Sequence, residues 1–480
     1  MHREIRSFIN NFAREVKESN AAIFAGAGMS AGAGFVDWKT LVKPLADELG
    51  LDIDKEDNLV AVAQYHYNEK GQNRHRINQI LIDEFSRNVA LTVNHQILAR
   101  LPINTYWTTN YDNLIEKALE GAHKVPDVKY TVNQLATTIP KRDAIVYKMH
   151  GDVNHTSEAV LTKDDYEKYH IKFAPYITAL SGDLVSKTFL FLGFSFTDPN
   201  IDYILSRIRA TYTNHQREHY CIMRAVFRPD CNSNDEYDYK VRKQALFIGD
   251  LKRFNITTLL IEQYDEITEI LKSIENIYKV KTVFISGSAH EYGTIGKDKS
   301  EEYIHNLSKT LIGREYKIVS GFGLGVGTAV INGALEEIYC RGKKTTDEQL
   351  ILRPFPQNQT GTTPLPVLWD EYRKDMILLA GIAIFLFGNK LDATGKVVPA
   401  NGVRSEFEIA VANGLKVVPV GATGFMAEEL WKEVNANLDT YFPGYSKEFS
   451  DNFAEIGNTS LDPDALLESI IKLLNKIIRR

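Results

Sequence analysis

The sequence is poor in cysteine, in long apolar runs and in excess charge of either sign. Only 3 of its 480 residues are cysteines, and none forms a C-x-x-C pair. A four-cysteine zinc site is therefore excluded, and a disulfide framework of the extracellular kind is not expected. The formal net charge of −6 predicts no general affinity for nucleic acid or for an anionic membrane.

The longest apolar run covers residues 377–388, which is too short to cross a bilayer, since a spanning helix needs about 20 residues. The charged N-terminal segment lacks the apolar core of a signal peptide. We therefore expect a cytoplasmic protein that has neither membrane nor nucleic-acid partners. What the sequence does contain is 44% hydrophobic residues, a share typical of a folded globular chain.

Short apolar strands alternate with helical patterns along the whole chain. This alternation predicts an α/β fold in which parallel sheets are covered by helices on both faces. The pattern restarts near residue 280, where a new strand again runs into glycine. We therefore predict two Rossmann-like domains, residues 1–279 and residues 280–480, the second of them a doubly wound sheet.

A glycine turn, Gly26-Ala27-Gly28-Met29-Ser30, follows the first predicted strand. Glycines let the backbone approach a pyrophosphate closely, and the start of the following helix offers free N–H groups to phosphate. A tight corner between a strand and a helix needs the same glycines, so the turn alone leaves both interpretations open.

Three further polar segments, residues 109–112, 150–152 and 193–200, each follow a predicted strand. Because the carboxyl ends of parallel strands lie at one edge of a sheet, we expect these segments to converge. Short polar side chains gathered at such an edge favour a reacting centre. A buried structural histidine is the alternative for His150.

Taken together, these motifs resemble the sirtuin family over about residues 1–275. The resemblance implies that the first turn holds NAD phosphates, that Asn110 and His150 carry catalysis, and that Asp112 orients the ribose or carboxamide. The residues implied to bind NAD are Gly26, Ala27, Gly28, Ser30, Asp37, Asp112, Gly193 and Ser195. Because the zinc ribbon of sirtuin deacylases is missing, we expect NAD as a hydrolysed substrate and no metal.

A second glycine-rich segment, residues 320–328, precedes another helical pattern and is a candidate phosphate cradle. Residues 280–480 resemble the SLOG family of nucleotide-processing and nucleotide-sensing domains. The resemblance implies a signal-binding pocket formed by Gly287, Ser288, Gly323, Leu324, Gly325, Arg373, Lys390, Gly402 and Glu406. Arg373 and Lys390 would pair with phosphates, unless they are ordinary solvated side chains. The usual hydrolytic glycine motif is absent, which favours sensing, although Glu406 leaves hydrolysis open.

A sirtuin-like domain followed by a SLOG domain is similar to the NAD-degrading effectors of Thoeris antiphage systems. The resemblance implies an NAD+ hydrolase that releases nicotinamide and ADP-ribose and depletes NAD in antiviral defence. A cyclic ADP-ribose isomer, made by a partner protein with a TIR domain, would activate it by binding the SLOG domain. Homotetramers are also implied. The alternatives are an NAD-dependent deacylase, a nucleotide phosphoribohydrolase, and a non-catalytic module that senses NAD or ADP-ribose.

Overall fold

The computed structural model describes residues 3–478 except 197, 212–216, 342–348, 357, 358 and 360. The chain divides into two compact units, Met1–Tyr278 and Lys279–Arg480. Each unit is built on a parallel sheet, which confirms the predicted α/β class. Among the helices of the described residues, none has the length and apolarity that a bilayer crossing requires.

The first unit contains a seven-stranded sheet in the order β3-β4-β2-β1-β5-β6-β7, with every pair parallel. The strands are β1 Ala21–Ala25, β2 Thr105–Thr108, β3 Pro126–Lys129, β4 Ala144–Lys148, β5 Thr188–Leu192, β6 His219–Arg224 and β7 Ile256–Ile261. All residues of β1 and β5 are buried, as expected for central strands that helices cover on both faces.

The helices of the first unit form because apolar residues recur at helical spacing and short polar side chains start them. In the first helix, Ile5, Phe8, Ile9, Phe12 and Val16 are all buried, which fits one face packed on the sheet. Thr92 and Thr162 cap later helices through their side chains. The helices are Arg3–Lys17, Ala27–Ala31, Trp38–Glu48, Leu59–Glu69, His75–Phe85, Val93–Arg100, Leu114–Gly121, Lys163–Lys172, Ala174–Ser186, Pro199–Thr211, Asn234–Leu251 and Asp265–Lys279.

The second unit contains a five-stranded parallel sheet in the order β10-β9-β8-β11-β14 and a separate antiparallel hairpin, β12–β13. The strands are β8 Thr282–Ser288, β9 Lys317–Ser320, β10 Leu350–Leu352, β11 Ile382–Phe387, β12 Asn389–Leu391, β13 Val397–Pro399 and β14 Lys416–Pro419. The helices are Lys297–Gly313, Gly327–Arg341, Leu365–Ile377, Asn401–Ala412, Phe425–Ala436, Leu438–Tyr441, Lys447–Glu455 and Pro463–Ile478.

Each sheet reverses its direction of winding next to the first strand of its unit. In the first unit β1 lies between β2 and β5, and in the second unit β8 lies between β9 and β11. The crevice outside the carboxyl ends of strands at such a switch point is where open parallel sheets bind ligands. The first glycine turn follows β1, and Gly287 and Ser288 end β8, so these predicted residues lie at the switch points of their own sheets.

Candidate active site and candidate nucleotide site

The glycines of the first turn are required by the contact between two loops. Gly26 and Gly28 donate their N–H groups to the carbonyl oxygens of Leu192 and Gly193, at 2.9 and 3.0 Å. A Cβ at Gly26 would lie 2.4 Å from the Gly193 oxygen, and one at Gly193 would lie 2.2 Å from the nitrogen of Met29. This close approach explains the glycines without any ligand, as the tight-corner interpretation expects.

A buried chain of hydrogen bonds joins the end of β2 to the first turn. The Asn110 Nδ2 donates to the Gly26 oxygen and to the Ser30 Oγ, both at 3.1 Å, and the Ser30 Oγ donates to the Asp112 Oδ2 at 2.7 Å. The other oxygen of Asp112 accepts from the N–H of Leu114 at 3.0 Å. Asp112 therefore acts on the orientation of Asn110 through Ser30.

The orientation of the Asn110 amide follows from its partners. The Gly26 carbonyl can only accept a hydrogen bond, so the atom facing it must be the Nδ2. Among the described residues, none donates a hydrogen bond to the Asn110 Oδ1. The Oδ1 is thereby left as an acceptor for a water molecule or a hydroxyl group.

His150 is buried at the end of β4 and faces a carboxylate. Its Nε2 lies 2.9 Å from the Asp198 Oδ2, in a geometry too bent for a well-formed hydrogen bond. The other oxygen of Asp198 accepts from the N–H groups of Asn200 and Ile201 at the start of a helix. Burial raises the pKa of Asp198, but the His150 imidazole and these N–H groups together lower it below its ordinary value.

Strand register places Asn110 and His150 at equivalent positions on neighbouring strands. Thr108 of β2 is paired with Lys148 of β4, and each catalytic candidate lies two residues beyond its member of that pair. The Met149 N–H continues the pairing by donating to the Thr108 oxygen at 2.9 Å. The structure therefore brings the two predicted catalytic residues to the same edge of the sheet.

Of the predicted NAD-binding residues outside this buried chain, Ala27, Asp37 and Ser195 also take no part in the glycine contact between the two loops. Ala27 is the exposed first residue of its helix, and Ser195 is exposed on the loop after Gly193. The exposed Asp37 caps the helix Trp38–Glu48 by accepting from the Thr40 N–H at 2.8 Å. Within the part of the chain that the structure describes, no group of three or more His, Cys, Asp or Glu side chains is arranged to hold a metal ion.

The glycines of the second unit also allow a close backbone contact, here between the loop after β9 and the end of β8. A Cβ at Gly323 would lie 1.9 Å from the Gly287 oxygen, and one at Gly325 would lie 2.1 Å from the Ala289 oxygen. The side chain of Leu324, between these glycines, does not pack in the core, because it is 67% exposed. Its carbonyl oxygen accepts a hydrogen bond from the Ala289 N–H at 2.7 Å. The predicted cradle residues therefore meet at the carboxyl end of β8.

Glu406 and Arg373 form a largely buried pair next to the second glycine turn. The Glu406 Oε2 accepts from the Ser286 Oγ at 2.6 Å, and its Oε1 lies 3.5 Å from the Arg373 Nε. Burial raises the pKa of Glu406, opposed by Ser286 and Arg373. The Arg373 guanidinium also lies 5.1 Å from the ring centre of Phe355, and a Cβ at Gly402 would approach its Nη2 to 3.1 Å.

Two of the remaining predicted residues, Ser288 and Lys390, lie next to a buried asparagine, Asn389. Its Oδ1 accepts from the N–H groups of His290 and Glu291, and its carbonyl oxygen accepts from the Ser288 Oγ at 3.1 Å. Lys390 follows it on the hairpin and is exposed. Of the residues that the structure describes, none forms a hydrogen bond or an ion pair with the ammonium group of Lys390, so its link to Arg373 and Glu406 stays a prediction.

Several residues that the structure places in these clusters were not predicted as site residues from the sequence. Asp198 faces His150, and Asn200 beside it is buried with an amide nitrogen that has no acceptor among the described residues. Ser286 and Phe355 hold Glu406 and Arg373. The Asp-Pro-Asn sequence before a helix was a usable signal for Asp198, whereas no sequence pattern joined Phe355 to Arg373.

Fold and site together define a SIR2-like domain followed by a SLOG domain. Residues 104–244 match the SIR2-like domain family, and residues 266–477 match the Sir2- and TIR-associating SLOG family. The chain is 58% identical over 470 residues to the NAD(+) hydrolase ThsA of Bacillus cereus (strain MSX-D12), covering 98% of both chains. It is also 47% identical to the ThsA of Acinetobacter baumannii (strain 532279), covering 99% of both, and 44% identical to that of Enterococcus faecium, covering 98% of both. The chain belongs to the ThsA family of NAD(+) hydrolases, as its motifs predicted.

Proposed function

We propose that this protein hydrolyses NAD+ at the nicotinamide–ribose bond in its first unit and is switched on by a cyclic ADP-ribose isomer bound in its second unit. The observation that carries the proposal is that Asn110 and His150 follow the carboxyl ends of the neighbouring strands β2 and β4, with β2 next to the first strand β1. The relatives are named NAD(+) hydrolases, the resemblance to sirtuins implies cleavage at the nicotinamide–ribose bond, and these two side chains supply groups suited to it.

Cleavage of this bond needs little acid catalysis, because the leaving nicotinamide departs as a neutral molecule. The ribose carbon passes through an oxocarbenium-like state, as in glycoside hydrolysis. A water oxygen then bonds to that carbon and loses a proton. Positioning of the water and stabilisation of the charged sugar are therefore the main tasks of the protein.

Asn110 and His150 divide these tasks. The anchored amide of Asn110 presents its Oδ1 to the water or to a ribose hydroxyl. In the proposal the imidazole of His150, which faces the Asp198 carboxylate at 2.9 Å, accepts the proton that the water loses. Gly26, Ala27, Gly28, Ser30, Asp37, Asp112, Gly193 and Ser195 would line the NAD site.

In the second unit Arg373 is the proposed partner of the activator's phosphates. The Arg373 guanidinium faces the Glu406 carboxylate through its Nε, at 3.5 Å, and Asp370 through its Nη1, at 3.2 Å. Its planar set of N–H donors is suited to binding a phosphate beside them. Gly287, Ser288, Gly323, Leu324, Gly325, Lys390 and Gly402 would complete the pocket. Both oxygens of Glu406 already contact Ser286 and Arg373, which favours a binding role over hydrolysis.

The resemblance to Thoeris effectors also suggests the role of the protein in the cell. A partner protein with a TIR domain would make the activator, and depletion of NAD would serve antiphage defence. We propose a cytoplasmic homotetramer that needs no metal. Light scattering with and without activator tests the assembly, and activity after treatment with a chelator tests the metal.

The deciding experiment incubates the full-length protein with NAD+, alone and with each available cyclic ADP-ribose isomer, and measures nicotinamide and ADP-ribose. We expect slow release without an isomer and fast release with one of them. Equal rates in all samples would refute the gating, and no release in any sample would refute NAD cleavage. Acylated peptide and nucleoside monophosphates, offered in parallel, test the deacylase and phosphoribohydrolase alternatives.

A further inference from the structure

A fully buried lysine lies beneath the catalytic candidates. The side chain of Lys148 is 0% exposed and belongs to the last residue of β4. Its Nζ donates to the carbonyl oxygens of Tyr111 and Asp112, at 3.2 and 2.6 Å. It also lies 3.0 Å from the Glu116 Oε1 and contacts the carboxylate of Asp152. Lysine is almost never buried so completely without such partners.

Three of the four partners of Lys148 come from two different loops, and the fourth, Glu116, lies on the helix Leu114–Gly121. The Tyr111 and Asp112 carbonyls belong to the loop that carries Asn110. Asp152 belongs to the turn that follows His150, where its Oδ1 also accepts from the Asn154 N–H at 2.8 Å. One ammonium group therefore joins the Asn110 loop to the His150 turn, on neighbouring strands of the sheet.

We propose that Lys148 is a positioning residue for NAD cleavage: its ammonium sets the position of the Asn110 loop relative to His150. The inference rests on the proposed function of this site. Two of the contacts of the Lys148 ammonium are to neutral carbonyl oxygens. A lysine that only neutralised Glu116 and Asp152 would not need these two contacts. Those contacts act on the backbone, so they fix where the neighbouring Asn110 side chain begins.

The competing explanation is that Lys148 only neutralises buried charge. Burial lowers the pKa of Lys148, but Glu116 and Asp152 together raise it above its ordinary value, so the side chain is a cation at working pH. Removing it would leave the buried carboxylates of Glu116 and Asp152 without a cation to offset their charge, which is strongly destabilising. A loss of activity is therefore informative only when stability is measured beside it and the buried charge is varied independently.

Four variants of the full-length protein separate the two explanations: Lys148→Met, Glu116→Gln, Lys148→Met with Glu116→Gln, and Lys129→Met. The last is a matched control, because Lys129 is a second buried lysine of the same sheet, paired with Asp127 at 2.6 Å and bonded to the Thr137 oxygen at 2.7 Å. Each variant is assayed for Tm and for kcat and KM with NAD+, under the conditions that give the highest wild-type rate.

If Lys148 positions the loop, Lys148→Met lowers kcat about 10- to 100-fold, because small displacements of catalytic groups cost that much. The double variant regains part of the lost Tm while kcat stays low. Lys129→Met lowers Tm but keeps kcat within about 2-fold, and Glu116→Gln keeps kcat within about 3-fold, since both retain the carbonyl contacts of Lys148.

Two results would overturn the inference. One is a double variant that regains kcat along with Tm, and the other is a Glu116→Gln protein whose kcat falls as far as that of the lysine variants. If Lys148→Met does not fold, the double variant and Glu116→Gln still decide. Failure of the proposed function itself has a different signature, because the wild-type protein would then release no nicotinamide.

Discussion

In the first unit the glycine turn packs against Gly193, and in the second unit Gly323 packs against Gly287, so both switch points are built by close backbone contact. The side chains above these contacts differ. The first unit gathers an amide, a hydroxyl and a carboxylate joined by hydrogen bonds, and separately an imidazole that faces a second carboxylate. The second unit gathers one guanidinium, one carboxylate and an aromatic ring.

The difference between these two sets of side chains indicates which chemistry each sheet edge can support. An anchored amide and an imidazole suit bond cleavage, whereas a partly buried arginine suits the retention of an anion. The backbone arrangement is common to both units and decides neither task. The predictions below test whether the two sets of side chains are as separate in function as they are in chemistry.

The largest effect is expected from Asn110→Ala, which removes the anchored amide of the first unit. We expect nicotinamide release to fall about a thousandfold, since the loss of one preorganised polar group at a reacting centre costs about that much. Binding of a cyclic ADP-ribose isomer, measured by calorimetry, should be unchanged.

The matched control for Asn110 is Asn113→Ala. Asn113 lies three residues further along the same loop and begins the helix Leu114–Gly121 without a side-chain capping bond. This variant should keep wild-type turnover. Retained turnover in Asn110→Ala itself would contradict the assignment of catalysis to the first unit's edge.

The next largest effect concerns Arg373→Ala in the second unit. Loss of this partly buried cation should raise the activator concentration needed for half-maximal NAD hydrolysis about 100-fold, while the maximal rate changes little. Lys374→Ala, an exposed neighbour on the same helix, is the control. If Arg373→Ala lowered the maximal rate and left the activator titration unmoved, the functional division between the units would be wrong.

Acid should destabilise the first unit before the second. Burial lowers the pKa of His219 to about 4, aided by the Arg217 charge, so the folded state keeps it neutral. Between about pH 6.5 and pH 4 the unfolded chain binds the extra proton, and stability therefore falls as the pH falls. The loss reaches about 2 kcal/mol at about pH 5.

His219→Gln tests that acid sensitivity. A glutamine oxygen can accept the Phe189 N–H that the His219 Nδ1 now accepts at 3.2 Å, but it does not titrate. Urea unfolding at about pH 7.5 and pH 5 should therefore show a smaller pH-dependent loss in the variant. Equal losses in both proteins would show that other groups govern the acid response.

The smallest effect is expected from Lys390→Ala. Lys390 is exposed on the hairpin β12–β13, and an exposed charge contributes little, so the activator titration should shift about 3-fold. Lys396→Ala, exposed on the same hairpin segment, should not shift it. A shift as large as that of Arg373→Ala would place Lys390 in direct contact with the activator.

Most strands could be predicted because apolar runs between helices mark buried parallel strands. The edge strand β3 was not predicted, because two of its four residues are Asp127 and Lys129, which are buried as an ion pair. The hairpin β12–β13 was also missed, since its short strands are mostly exposed. Hydrophobic periodicity cannot detect a strand whose buried residues are charged.

The candidate site was predictable where a motif lies directly after a strand. The segments of Asn110 and His150 were found in this way, because they follow β2 and β4, whereas the catalytic roles of the two residues came from the resemblance to sirtuins and stay predictions. Asp198 was not assigned a role, since it is 48 residues from His150 along the chain and nothing in the sequence pairs them. Lys148 was passed over for a related reason, as a lysine in a strand pattern gives no sign that it is buried.

The sequence by itself determined the α/β class, the two-domain order and the strand ends at which polar residues gather, because these depend on local periodicity and on glycine. Only the tertiary structure decided which side chains meet. The Asn110–Ser30–Asp112 chain, the His150–Asp198 pair and the four partners of Lys148 join residues from separate loops. Such contacts depend on strand register and on burial, which makes unpaired polar groups costly and so selects the partners.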